Sequence, residues 1–294
     1  MRTLSVPADR AVDPLTVEIL RKVRSVAATC TLEYMLVGAM ARDFMLLHVH
    51  GIDPVRATRD IDVAIAVRSW SEFQSYSASL IETGDFERDA EKPHRFRYKT
   101  PGSTFAYPLD ILPFGAIQDE TGAVRFPVDG DREMNVMGYE DAAAAAVDVQ
   151  IADDLVVRTV SLPGLATLKF FAWKDRGFQG SSKDAVDLAT LILNYARAGN
   201  DERLWADHMA ELDSVGYDLE IAGAYLMGRD VRRMCSDETS AALVGLLSEA
   251  RNREILALDM VREHEGRRIG LAELEERLEQ FVAGLSGDNI LPRP

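Results

Sequence analysis

Val37-Gly38-Ala39-Met40-Ala41-Arg42-Asp43, followed by Arg56-Ala57-Thr58-Arg59-Asp60-Ile61-Asp62-Val63-Ala64-Ile65-Ala66-Val67, decides how this chain folds. From Asp60 onward the residues alternate. Asp60, Asp62, Ala64 and Ala66 fall on one side, and Ile61, Val63, Ile65 and Val67 on the other. A period of two predicts a strand. Tyr34-Met35-Leu36-Val37 predicts a shorter buried strand that ends at Gly38 and passes into a helix over Ala39–Leu47. A loop carrying Pro54 joins that helix to the Asp60 strand. Side chains two apart on a strand project the same way, with like atoms roughly 6.5–7 Å apart. Asp60 and Asp62 therefore point together.

Strands and helices alternate on both sides of this core. Asp13 and Pro14 suit the cap and first position of a helix running to about Leu32. Ser69 precedes a helix over Ser71–Thr83. His94–Thr100, a Pro101-Gly102-Ser103 turn and Thr104–Leu112 predict a hairpin. Val124–Val128, Asn135–Gly138 and Leu155–Ser161 are further expected strands, and Asp141–Ala146 an expected short helix. From Pro163 the pattern turns helical: Pro163–Arg176, a loop over Gly177–Ser182, then Lys183–Ala198 ending near Gly199. Helices continue to about Ala283, with breaks expected at Gly216, Gly228 and Ser236. The chain is thus expected to be α+β, with one domain over 1–160 and a helical one over 161–294.

Composition narrows the setting. Cys30 and Cys235 have no second cysteine nearby, so no disulfide framework or zinc spacing can be built, and a reducing, cytoplasmic compartment is expected. The opening residues carry charges and no apolar core of signal length. No stretch approaches the roughly 20 apolar residues of a membrane span. The net charge of −15 repels phosphate backbones unless basic residues gather locally. Arg95, Arg97 and Lys99 form the best basic stripe, with Phe96 and Tyr98 on the opposite side of their strand. That stripe is either a solvated face or a landing site for an acceptor's phosphates.

A third acid, Asp110, lies in the strand Pro108-Leu109-Asp110-Ile111-Leu112. Three carboxylates meeting across neighbouring strands repel one another unless a cation sits between them, and hard oxygen ligands select Mg²⁺. A glycine turn into a helix start places backbone N–H groups beside such a site. In this order, these residues resemble the DNA polymerase β-like nucleotidyltransferase superfamily, with its glycine motif followed by Asp-x-Asp/Glu. The run Arg56 to Asp62 is most similar to the Arg-x-Thr-x-Asp-x-Asp of the AbiEii/AbiGii-type nucleotidyltransferases. Lys169 in Leu168-Lys169-Phe170-Phe171 and Asp184 in Ser182-Lys183-Asp184-Ala185 resemble that group's later lysine and acid. The likeness extends over about 36–112 and 161–195, and it says nothing of the last hundred residues. One position departs from the pattern. Ala39 stands where Gly or Ser is usual, so a hydroxyl contact to phosphate is missing there.

The resemblance implies a catalytic domain with a mixed or antiparallel sheet flanked by helices, and a helical substrate-binding domain. It implies transfer of a nucleoside monophosphate from an NTP to an acceptor hydroxyl, with release of pyrophosphate. Asp60, Asp62 and Asp110 would be the catalytic, metal-binding acids, for two Mg²⁺ ions. Gly38, Ala39, Arg42, Lys169, Arg176 and Asp184 would bind the nucleotide. Lys169 is alternatively a lysine that carries its head to water, Arg42 a surface arginine, and Asp187 an ordinary helix acid. Toxin relatives make tRNA the first expected acceptor and an antitoxin an expected partner. The acidic charge favours a small hydroxylated molecule or a protein side chain. A catalytically silent nucleotide-binding partner is the non-enzymatic alternative.

Overall fold

The computed structural model describes residues 3–56, 58–100, 106–127, 133–177, 181–261 and 269–292. Its contacts divide the chain into two compact units, one of Met1–Phe44 and Ala57–Ser161, the other of Met45–Arg56 and Leu162–Pro294. A division at 160 would leave Met45–Arg56 with the sheet. Instead this segment packs with the helical unit, burying Met45, Leu46 and Ile52 and placing Arg56 on Asp187.

The first unit contains strands β1 (Thr3–Ser5), β2 (Tyr34–Val37), β3 (Ile61–Ala66), β4 (Phe86–Arg88), β5 (Arg95–Lys99), β6 (Ala106–Phe114), β7 (Ala123–Arg125), β8 (Glu133–Asn135), β9 (Val147–Ala152) and β10 (Leu155–Thr159). Its helices are α1 (Pro14–Thr29), α2 (Gly38–Asp43), α3 (Trp70–Glu82) and α4 (Tyr139–Ala144). Eight strands make one mixed sheet in the order β1-β9-β10-β2-β3-β6-β5-β4, while β7 and β8 pair separately. The strand β3 runs antiparallel to β2 and parallel to β6, and β5 runs antiparallel to β6. Ile61, Val63 and Ile65 are fully buried, as the alternation requires. Asp13 caps α1 by accepting from Thr16 N at 3.0 Å, and that helix buries Ile19, Leu20 and Val23. Each such side chain contributes about 1.5–3 kcal/mol.

Some details differ from expectation. The helix after Gly38 is α-helical only to Asp43 and continues as a π-helix over Phe44–Val49. The strand expected over Asn135–Gly138 lies earlier, because Gly138, at φ 79°, already caps α4. The short edge strands β1 and β4 carry too few residues to show a period. By contrast, β9 alternates clearly, with Val149 and Ile151 buried. The turn Pro101-Gly102-Ser103, Val128 and the loop positions 178–180 lie outside the described residues.

The second unit contains α5 (Leu162–Arg176), α6 (Lys183–Asn194), α7 (Asp201–Asp207), α8 (Met209–Ser214), α9 (Leu219–Met234), α10 (Asp237–Ser248), α11 (Ala250–Val261) and α12 (Leu271–Ser286). Within this unit α5 is buried on nearly every side, and Trp173 donates its indole N–H to Asp259 at 3.0 Å. Gly228 is not a break. It lies inside α9, where a Cβ would stand 2.8 Å from Leu285 N and 3.0 Å from Phe281 C. Gly284 of α12 faces the Arg229 N in the same way, at 2.9 Å. The two glycines let the helix backbones approach closely. No described helix is long and apolar enough to cross a membrane.

Candidate active site

Strand register brings the sheet unit's acids together. Asp62 of β3 and Asp110 of β6 are direct Cα partners in a parallel pair, so their side chains leave the same face of the sheet. Arg95 of β5 is in turn the partner of Asp110. Val37, the last residue of β2, is the partner of Asp62. One row thus reads Arg95, Asp110, Asp62, Val37 across four strands, with Gly38 following at the row's end. Asp60 stands just before β3, its side chain 54% exposed, whereas that of Asp110 is only 11% exposed.

Gly38 lets the Asp62 carboxylate lie close against the backbone at this end of the row. Its φ is 70°, in the region that favours glycine, and a Cβ there would overlap the Asp62 carboxylate. Ala39 and Arg42 are buried in the helix that follows. Arg42 is neither a surface arginine nor one turned toward solvent. Its guanidinium is fully buried and donates to Asp43 from Nε at 2.8 Å, since a buried charge needs a paired one.

Arg95 was not assigned here by sequence reasoning. It donates to both oxygens of Asp110, Nε to Oδ1 at 2.6 Å and Nη2 to Oδ2 at 2.7 Å. The same Nη2 lies 3.9 Å from Asp60 Oδ2. These hydrogen bonds, followed by the charges of Asp110, Asp60 and Asp62, outweigh partial burial and raise the Arg95 pKa. Arg97, next on the stripe, donates to Asp89 at 3.0 Å. The stripe is therefore partly committed to acids of its own unit. Arg95's alternation with the apolar Phe96 was the only sequence signal, and it gives a face rather than a partner.

Among the described residues, no three His, Cys, Asp or Glu side chains are set as metal ligands. In the row itself, Arg95 takes both Asp110 oxygens. The donor chemistry nevertheless fits a hard divalent cation: hard oxygen acids on one sheet face, gathered around a positive charge.

The helical unit carries a second charged cluster. Lys169 of α5 is 2.9 Å from Asp184 Oδ1 and 2.6 Å from Asp187 Oδ2, both acids on α6. Arg176 donates to Asp184 Oδ2 at 3.1 and 2.7 Å, and Arg56 to Asp187 at 3.2 and 3.0 Å. The series runs Arg56, Asp187, Lys169, Asp184, Arg176. Lys169 does not carry its head to water. Burial would lower its pKa, but Asp187 and Asp184 more than offset that and raise it. Burial likewise would raise Asp184, and Lys169 and Arg176 more than offset it. Asp187 is not an ordinary helix acid, because its side chain is fully buried between two cations. Its three-residue spacing from Asp184 shows a shared helix face in the sequence. Arg56 lies too far along the chain to be matched to it by spacing.

The family described as nucleotidyl transferase AbiEii toxin, type IV toxin–antitoxin system, matches residues 24–283. The chain belongs to that family. As an AbiEii member it belongs to an enzyme family of nucleotidyl transferases, and the match includes both charged clusters. No curated protein matches it. Among solved structures, an antigenic nucleotidyltransferase-like protein from Paracoccidioides brasiliensis is 16% identical with a TM-score of 0.42, covering 71% of this chain and 93% of that one. The antibiotic-resistance factor ANT(2'')-Ia is 14% identical with a TM-score of 0.38, covering 69% and 97%. The Thermotoga maritima CCA-adding enzyme complexed with tRNA is 13% identical with a TM-score of 0.25, covering 95% and 82%. Likenesses this slight do not bear on substrate.

Proposed function

We propose that this chain moves a nucleoside monophosphate from an NTP to an acceptor hydroxyl and releases pyrophosphate. The observation that carries the reading is the register of Asp62 against Asp110, with Asp60 beside them and Gly38 clearing space at Asp62. Asp60, Asp62 and Asp110 would hold Mg²⁺, in two ions on the family's pattern. Bound there, magnesium neutralises charge on the phosphates and on the attacking oxygen. Asp110 accepts the proton of the acceptor hydroxyl, which requires one of the oxygens that Arg95 now occupies. Gly38 and Ala39 would offer backbone N–H groups at the start of α2 to phosphate, and Arg42 lies buried at the far end of that helix on Asp43.

In the helical unit, Asp184, which Lys169 holds from its other oxygen, would hold Arg176, whose side chain is 59% exposed, as a phosphate-binding guanidinium. Among the described contacts of that cluster, three cations face two carboxylates. Catalysis would be chiefly positioning and charge neutralisation.

The acceptor we favour is tRNA, supported by the family's description as a toxin, which also makes an antitoxin the expected partner. A small hydroxylated molecule is the second reading, favoured by the net charge of −15. The test is incubation with Mg²⁺, total tRNA and each NTP labelled at the α-phosphate, with Asp60→Ala in parallel. Label on RNA with the wild type alone is the expected result. Pyrophosphate release with small-molecule extracts, without RNA label, would favour the second reading. Transfer undiminished in Asp60→Ala would overturn the site.

A further inference from the structure

Within the sheet unit, one nitrogen of Arg95 bridges two acids. Its Nη2 is 2.7 Å from Asp110 Oδ2 and 3.9 Å from Asp60 Oδ2, while Nε holds Asp110 Oδ1 at 2.6 Å. The register of β5 against β6 makes Arg95 and Asp110 direct partners, so the contact is set by strand pairing rather than by a wandering surface side chain. A magnesium ion held by Asp60 and Asp110 would compete with this guanidinium for the same carboxylate oxygens. Two positive centres that close repel strongly at a partly buried site. Arginine suits the placeholder role. Its planar fork satisfies both carboxylate oxygens at once, as a lysine cannot.

We propose that Arg95 is a positioning residue which holds Asp110 and Asp60 in the metal-free protein and gives up Asp110 when a divalent ion binds. The inference rests on the reading of Asp60, Asp62 and Asp110 as metal-binding acids. It makes metal entry an exchange of one cation for another, in place of the filling of an open site. The carboxylates are never left facing one another without a counter-charge, and Asp110 becomes available as a proton acceptor only once the ion is in place.

The test uses the full chain and Mn²⁺ alone, without nucleotide, with bound ion read by electron paramagnetic resonance. Wild type, Arg95→Gln, Arg95→Lys and Asp62→Asn are compared after circular dichroism has shown that each is folded. Arg95→Gln is expected to bind Mn²⁺ about tenfold more tightly or better, since a charged, two-fold hydrogen bond no longer has to be broken. Arg95→Lys is expected to fall between it and wild type. The metal-free melting temperature of Arg95→Gln should lie below that of wild type, and the gap should close as Mn²⁺ is added. Mn²⁺ binding that Asp62→Asn abolishes but Arg95→Gln leaves unchanged or weakens would overturn this inference and leave the metal site standing. Absence of Mn²⁺ binding in wild type and both Arg95 variants would overturn the metal site and this inference with it.

Discussion

Gly38 and Asp62 compete for the same space: a Cβ on Gly38 would lie 2.8 Å from Asp62 Cγ and 2.9 Å from its Cβ. The glycine is required twice over, because its φ of 70° also disfavours any side chain. Left-handed backbone costs a non-glycine residue about 1–2 kcal/mol, and the overlap adds displacement of a proposed metal ligand. Gly38→Ala should therefore lower the melting temperature and reduce transfer about a hundredfold, the typical effect of a reacting group moved by an ångström. Gly84→Ala is the control. That residue has φ 80° with nothing within 4 Å of the added Cβ, so it should lose stability and keep activity.

Asp60→Asn should separate function from stability. The Asp60 side chain is half exposed and its contact with Arg95 is long, at 3.9 Å, so little stability rests on it. Transfer should fall to background while the melting temperature holds. A fall of several degrees, with transfer retained, would mean that the residue is structural.

Removing a partner from the buried cluster of the helical unit should be costly. Asp187→Asn leaves Lys169 and Arg56 short of a counter-charge, and breaking such a pair one-sidedly costs about 3–5 kcal/mol. Urea denaturation would read this as a lower midpoint at an unchanged slope.

The same cluster predicts a stability plateau. Asp184 is held below its ordinary value of 3.8, so its contribution is present above that pH and is lost as acid carries the pH through the lowered value. Lys169 is raised above 10.5, so its contribution is present below that pH and is lost as base carries the pH through the raised value. The stability difference between wild type and Asp184→Asn should be flat between about pH 4 and 10 and should shrink on the acid side. A difference that instead grew in acid would show that the sign of the Asp184 shift is wrong.

The glycine crossing of α9 and α12 gives a purely structural prediction. Gly228→Ala forces a methyl group against the Phe281–Leu285 backbone, and over-packing of this kind costs about 1–3 kcal/mol or more. The melting temperature should fall, with transfer per folded molecule unchanged.

How much of this could be read in the sequence depended on range. The alternation of β3 and the turn at Gly38 are local, so the strand, the turn and the shared direction of Asp60 and Asp62 followed from spacing alone. The α+β character followed from the change in period near Pro163. The pairing of Asp62 with Asp110 needs a register between strands far apart in the chain, which only the family resemblance supplied. Arg95 on Asp110 and Arg56 on Asp187 had no local signal, because a bidentate arginine leaves no mark on the residues next to it. Gly228 was misjudged because a glycine that admits a neighbouring helix and a glycine that ends its own helix look alike until the neighbour is seen.

The segment Met45–Arg56 has a consequence for any attempt to cut this protein in two. The chain leaves the sheet after Phe44, contributes a dozen residues to the helical unit, and returns at Ala57. A fragment starting at Leu162 would bury Asp187 without Arg56, and a fragment ending at Ser161 would carry Met45, Leu46 and Ile52 with no core to enter. Neither piece is an independent cassette. On the ribosome, the helical unit must recruit a stretch synthesised more than a hundred residues before its own first helix, so maturation of the two units is tied together by connectivity alone.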